Sequence, residues 1–161
     1  MNKVSQFLEH DHARCDSLYV DVVNCVAARD WAQAALRFPE FAEAMQLHID
    51  MEESVVYPAF EQALGNDSGP TRIMRAEHQL LREILHRMTA AILHRDLIEF
   101  SDHADTFRLT TQQHNLKEEG MLFPLVDKML HHRYDELVQA MTGLCRSASG
   151  QAAWAPAASA T

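Results

Sequence analysis

The segment His48-Ile-Asp-Met-Glu52-Glu53-Ser-Val-Val-Tyr57-Pro58 recurs 66 positions later as His114-Asn-Leu-Lys-Glu118-Glu119-Gly-Met-Leu-Phe123-Pro124. This recurrence constrains the fold more than any other feature of the chain. In both copies a His stands four residues before a Glu, and an aromatic-Pro pair follows at the same distance. Residues i and i+4 of a helix lie one turn apart on one face, so each copy presents an imidazole and a carboxylate to a single point. Two such helices face to face supply His and Glu donors suited to a carboxylate-bridged pair of metal ions.

The same offset relates other positions. Asp11-His12 falls on Glu77-His78, Leu18 on Ile84, Asp30 on Asp96 and Phe41 on Phe107. Most positions between them differ, as expected of a duplicated helical hairpin that kept its polar residues. Apolar spacings of three and four predict helices over about 3–28, 31–57, 71–94 and 97–123, with a shorter fifth helix over 134–145. Arg29-Asp30 and Arg95-Asp96 read as a helix end followed by an N-cap. Pro39 either starts the main part of the second helix or kinks it. The stretch Gly65-Asn-Asp-Ser-Gly-Pro70 is the clearest loop. The expected fold is all-α: an up-down-up-down four-helix bundle over residues 1–146, with a disordered Ala/Ser-rich tail over 147–161. Five Gly and five Pro are too few for a turn-rich β protein.

Counting residues places the site. His12 and His48 are 36 positions apart, as are His78 and His114, and each pair is centred on a predicted turn, at residues 30 and 96. Equal lengths up and down put both His of a hairpin at one height, about 27 Å from the turn at ~1.5 Å per residue. Two hairpins side by side then give one layer with His12, His48, His78 and His114, joined by Glu52 and Glu118. The other end does not close so evenly. Thirteen residues separate Glu52 from Gly65 but only eight separate Pro70 from His78, so a bend is expected near Pro58 and, by the repeat, near Pro124.

The net charge of −9 disfavours a nucleic-acid backbone or an anionic membrane as partner. No apolar run approaches the roughly 20 residues of a membrane span, and the first residues show no signal-peptide pattern, so a cytoplasmic location is expected. Cys15, Cys25 and Cys145 match no zinc spacing and read as free thiols. Ten His in 161 residues are an excess that calls for an explanation.

Four imidazoles and two carboxylates suit iron, with manganese or zinc as substitutes, better than calcium or magnesium. If Glu52 and Glu118 each bridge two metals and each metal takes two His, a bridging oxo or hydroxo group brings each ion to five donors. An octahedral iron then keeps a position for O2, peroxide, nitric oxide or water. Ferritin-like sites need Glu-x-x-His on two helices, and only Glu9-x-x-His12 fits that spacing. Asp11, Glu53, Glu77 and Glu119 read as groups that bond the ligands or face solvent. Cys15 and Tyr19 read as a core thiol and a core phenol, with a redox or radical role as the alternative. His103 lies about three turns from His114, too far to join it, and His10, His86, His94, His131 and His132 read as surface residues.

The order Asp11-His12, His48-x-x-x-Glu52-Glu53-x-x-x-Tyr57-Pro58, Glu77-His78-x-x-Leu-Arg82 and His114-x-x-x-Glu118-Glu119-x-x-x-Phe123-Pro124 resembles the hemerythrin-like family of His-His-Glu cation-binding domains, over about residues 5 to 128. The resemblance implies a four-helix bundle with a non-haem di-iron centre near one end. Oxygen-carrying hemerythrins have a fifth His one turn from another on the third helix, and the positions one turn either side of His78 here are Met74 and Arg82. They also place a carboxylate five residues after the last His, where this chain has Glu119, whereas the repeat favours Glu118. No extra N-terminal domain like that of the related iron–sulfur-centre repair proteins is expected. The expected function is a di-iron protein that binds O2, nitric oxide or peroxide in oxygen sensing or in the oxidative or nitrosative stress response. Turnover of peroxide or nitric oxide, and iron storage or iron–sulfur repair, are the alternatives, so enzyme status stays open. A monomer or homodimer is expected, with room for a separate protein partner and for the fifth helix to pack on the bundle or make a dimer.

Overall fold

The structure is a computed structural model that describes residues 3–150. Four long helices form an up-down-up-down bundle: α1 (Val4–Ala27), α2 (Trp31–Met51), α4 (Pro70–Leu93) and α5 (Leu97–Lys117). Two short helices, α3 (Tyr57–Leu64) and α6 (Phe123–Leu130), continue α2 and α5, and α7 (Tyr134–Gly150) follows a 3-10 turn at His131–Arg133. Among the described residues no helix is long and apolar enough to cross a membrane.

Both hairpin turns are built alike, 66 residues apart. Arg29 and Arg95 adopt left-handed backbone angles (φ 57° and 54°). Their N–H groups bond to the carbonyls of Val26 and Ile92, and those of Asp30 and Asp96 to Cys25 and Ala91, closing the ends of α1 and α4. The Asp30 and Asp96 carboxylates then accept from the N–H of Gln33 and Glu99, both at 3.0 Å, and start α2 and α5. One Arg-Asp dipeptide thus ends one helix and begins the next. Gly65 (φ 81°) ends α3 in the same left-handed conformation.

Pro39 lies within a continuous α2 and does not start it. The carbonyl its missing N–H would have served belongs to Ala35, which is exposed to water.

The expected helix ends near Pro58 and Pro124 are instead π-helical turns, Glu52–Val56 and Glu118–Leu122, through which each helix continues. Tyr57 N–H bonds to the Glu52 carbonyl five residues back, and Phe123 N–H to that of Glu118. The next carbonyl, Glu53, would pair with residue 58 in this register, but Pro58 has no N–H to give. The Arg75 guanidinium donates to it instead, at 3.3 Å. Each π turn starts on a Glu of the repeated motif, a position where such turns favour functional sites.

The core falls into two apolar clusters. One fills the half nearer the hairpin turns, around Phe38, Phe41, Phe107, Met88 and Val22. The other, around Leu8, Met51, Phe60, Met74, Phe123 and Leu130, closes the opposite end. Leu137 and Met141 of α7 are buried in the second cluster, so the fifth helix caps the bundle rather than presenting these residues outward. This helix runs to Gly150, beyond the expected end at 145, so the first positions of the expected tail are helical. Residues 151–161 lie outside the described residues. Between the clusters lies a layer of buried polar groups: Asp11, His12, His48, Glu52, His78, Thr111, His114 and Glu118.

Candidate metal centre

The layer contains all six of the His and Glu residues singled out by the repeat. His12, His48, Glu52 and Glu118 form one group, and Glu52, His78, His114 and Glu118 a second, with donor atoms in each within 4.8 Å of one another. Each hairpin contributes one His pair, and both carboxylates belong to both groups. Glu52, Glu118 and His78 have no solvent exposure (0%).

The imidazoles are held so that one nitrogen of each points into the layer. On the outer side, His12 Nδ1 meets Glu119 (2.8 Å), His48 Nδ1 meets Asp11 (2.9 Å), His78 Nδ1 meets Glu53 (2.8 Å) and His114 Nδ1 meets Glu77 (2.9 Å). The pairing obeys the 66-residue offset throughout. A carboxylate on Nδ1 favours that nitrogen as the donor, so the neutral ring keeps its Nε2 lone pair for a metal. Three of these carboxylates are anchored by cations: Asp11 by Arg14 (2.7 Å), Glu53 by Arg82 (2.9 Å) and Glu77 by Lys117.

These contacts set the charges. Burial raises the carboxyl pKa of Asp11, but hydrogen bonds from His48 and Arg14 hold it below the usual carboxylate value. Glu53 and Glu77 are lowered likewise against burial, by Arg82 and His78 and by Lys117 and His114. For Glu52, burial is outweighed by the charge of the nearby His48 imidazole, with His78 adding to it, which keeps it ionised. Burial pushes His48 down, yet the charge of Glu52 and the bond to Asp11 lift it well above its ordinary value.

On the interior side, His78 Nε2 and His114 Nε2 lie within hydrogen-bond distance of each other (3.1 Å), whereas the His12–His48 side is left unsatisfied. His12 Nε2 lies 3.3 Å from Glu118 Oε2, and His48 Nε2 lies 3.2 Å from Glu52 Oε1. None of these four buried atoms has a hydrogen-bond partner of proper geometry. Two buried carboxylates side by side, with bare imidazole nitrogens aimed at them, cost several kcal/mol unless a cation neutralises them. The donor set, its shared carboxylates and these orphaned atoms fit a pair of metal ions.

Tyr57 joins the layer although sequence reasoning assigned it no role. Its hydroxyl donates to Glu118 Oε1 at 2.5 Å and lies 3.3 Å from Glu52 Oε2. Burial, and then the charges of Glu52 and Glu118, push its pKa well up, so it stays a donor. Residues five apart on an α-helix point about 140° from each other, and the π turn is what returns Tyr57 to the face of Glu52. Its ring stacks on His78 (5.8 Å, 9°), as that of Phe123 does on His12 (5.8 Å, 22°). The signal in the sequence was that the aromatic of the repeated motif is Tyr57 in one copy and Phe123 in the other.

Other expectations resolve simply. Glu9 is exposed, so the ferritin-like spacing with His12 builds no site. Tyr19 donates to the Ala104 carbonyl (2.8 Å) among Phe41 and Phe107, and Cys15 is a buried thiol. His10, His86, His94, His131 and His132 are exposed, and His103 pairs with Glu99.

Comparison with known proteins agrees with this geometry. An uncharacterised hemerythrin-like protein of Schizosaccharomyces pombe is 29% identical over 131 residues, which cover 81% of this chain and 62% of the relative. The chain therefore spans under two thirds of that relative's length. No solved structure matches. Residues 3–126 match the family model described as the hemerythrin HHE cation binding domain, and the chain belongs to that family.

Proposed function

We propose that His12, His48, His78 and His114 are terminal ligands, and Glu52 and Glu118 bridging ligands, of two iron ions that bind a small ligand such as O2, nitric oxide or peroxide. The observation that carries this reading is the uniform orientation of the four imidazoles. Each has Nδ1 on a carboxylate and Nε2 turned toward a shared pair of fully buried carboxylates. With four His and two Glu as its donors, iron held by these residues would supply ligand binding and electron transfer.

The residues around it orient and neutralise. Asp11, Glu53, Glu77 and Glu119 hold the rings and make them stronger donors. Tyr57 holds a proton against Glu118 Oε1, and the two apolar clusters keep bulk water from the layer. A role in oxygen sensing or in oxidative or nitrosative stress follows from this ligand class. Turnover of peroxide or nitric oxide is the second reading, favoured by the proton that Tyr57 holds beside both carboxylates. The test is the visible spectrum of iron-loaded protein under argon, before and after azide or nitric oxide. A shift with either supports an open position, and no change with both contradicts it.

A further inference from the structure

The pseudo-symmetry of the bundle breaks at its two seams. Across α2 and α4, Arg82 donates to Gln46 (3.2 Å) and to Glu53 (2.9 Å), closing the seam beside the His78 side of the layer. Across α1 and α5, the position matching Arg82 is Asp16. Its carboxylate has no N–H groups to donate to Gln112 and Glu119, the counterparts of Gln46 and Glu53. Burial and the charge of Glu119 raise the Asp16 pKa, whereas His12 lowers it. A cleft of about 580 Å3 lies at this seam, lined by Asp16, Gln112, Thr111, Asn115 and Glu119 among others.

A second cavity, of about 10 Å3, lies between this cleft and the metal layer. It is bounded by all four imidazoles, by Cys15, Met45, Ile49 and Leu81, and by Asp16, Thr111 and Asn115. Those last three residues line the cleft as well. Thr111 is 8% exposed, and its buried hydroxyl has no hydrogen-bond partner. In the other repeat the matching positions are Met45 and Ile49, which are apolar and buried, so the polar lining exists on one side only.

We propose that the α1–α5 cleft is the doorway by which small uncharged ligands reach the metal pair, and that the Thr111 hydroxyl donates a hydrogen bond to the ligand held there. The proposal rests on the metal-site reading above. The inner cavity is at the threshold for one water-sized guest, which limits the ligand to very few atoms. Two carboxylates at the mouth, Asp16 and Glu119, against the one guanidinium of Arg108 favour a neutral ligand over an anion.

Stopped-flow binding of nitric oxide, a neutral probe, to the iron-loaded full chain tests both halves. Asp16→Arg copies the seal of the other seam. It should slow association about tenfold and slow dissociation in step, leaving the equilibrium constant nearly unchanged. Thr111→Val removes the hydroxyl at a position where the other repeat carries an apolar residue. It should speed dissociation about tenfold while association holds, and Thr111→Ser should restore the slow rate. Iron content and helical circular dichroism are read on every variant, and the Asp16 and Thr111 arms stand independently. Wild-type rates in Asp16→Arg overturn the doorway, and wild-type dissociation in Thr111→Val overturns the hydrogen bond. Absence of any nitric oxide binding by iron-loaded wild type contradicts the small-ligand reading of the metal site, and the doorway with it.

Discussion

Tyr57 and Phe123 occupy equivalent places in the two repeats and stack on equivalent His rings, yet only Tyr57 carries a hydroxyl, which reaches Glu118 across the pseudo-twofold axis. The bundle is therefore symmetric in its candidate ligands and asymmetric in the group that steadies them. Tyr57→Phe makes the two sides alike at this point. The metal-free protein should lose about 1.5–3 kcal/mol in urea unfolding, the range for a hydrogen bond to a charged group. Iron should still bind, with an altered visible spectrum. Unchanged stability and spectrum together would show that the hydroxyl does nothing for the carboxylates.

The outer carboxylates should matter nearly as much as the ligands they hold. Glu53→Ala and Asp11→Ala leave His78 and His48 free to rotate or change tautomer, and metal affinity should fall about 10–100-fold in competition with a chelator. Wild-type affinity in both variants would mean that the rings are positioned by packing alone.

At the hairpin turns two substitutions should move stability in opposite directions. Arg29→Gly relieves a left-handed conformation that costs a non-glycine residue roughly 1–2 kcal/mol, and should raise stability by about 1 kcal/mol after the entropy of the added glycine. Asp30→Ala removes the cap on Gln33 and should lower it by about 1 kcal/mol. Thermal unfolding of the metal-free protein reads both, and a shift of the same sign would contradict the turn geometry.

Burial pushes the Cys15 thiol up to about 11. Its reactive thiolate is therefore scarce at neutral pH and grows as pH rises toward that value. Iodoacetamide at pH 7.5 should spare Cys15 in folded protein and label it after unfolding, as read by peptide mass spectrometry. Rapid labelling of folded protein would point to an exposed or activated thiol instead.

Much of this was legible because helices convert residue number into height with a constant rise. The matched 36-residue spans placed His12 level with His48 and His78 level with His114, and the structure brings the four together with Glu52 and Glu118. The π turns were not legible in that way. A helix that widens for one turn at Glu52 and continues through Pro58 leaves no mark on apolar periodicity. The sequence reading therefore ended the helix where the register merely shifts, and it missed Tyr57. Thr111 was hidden for a different reason. Its importance lies in lacking a partner within a cavity bounded by all four long helices, which depends on packing between distant segments.

Elemental analysis of protein purified without chelator tests the central claim most directly, with wild type measured beside a His48→Ala/His114→Ala double variant. Two donor groups sharing Glu52 and Glu118 predict about two ions per wild-type chain, mostly iron, and loading that collapses in the variant. Fewer than about one ion per wild-type chain, or equal loading in the variant, would contradict a metal pair at this layer.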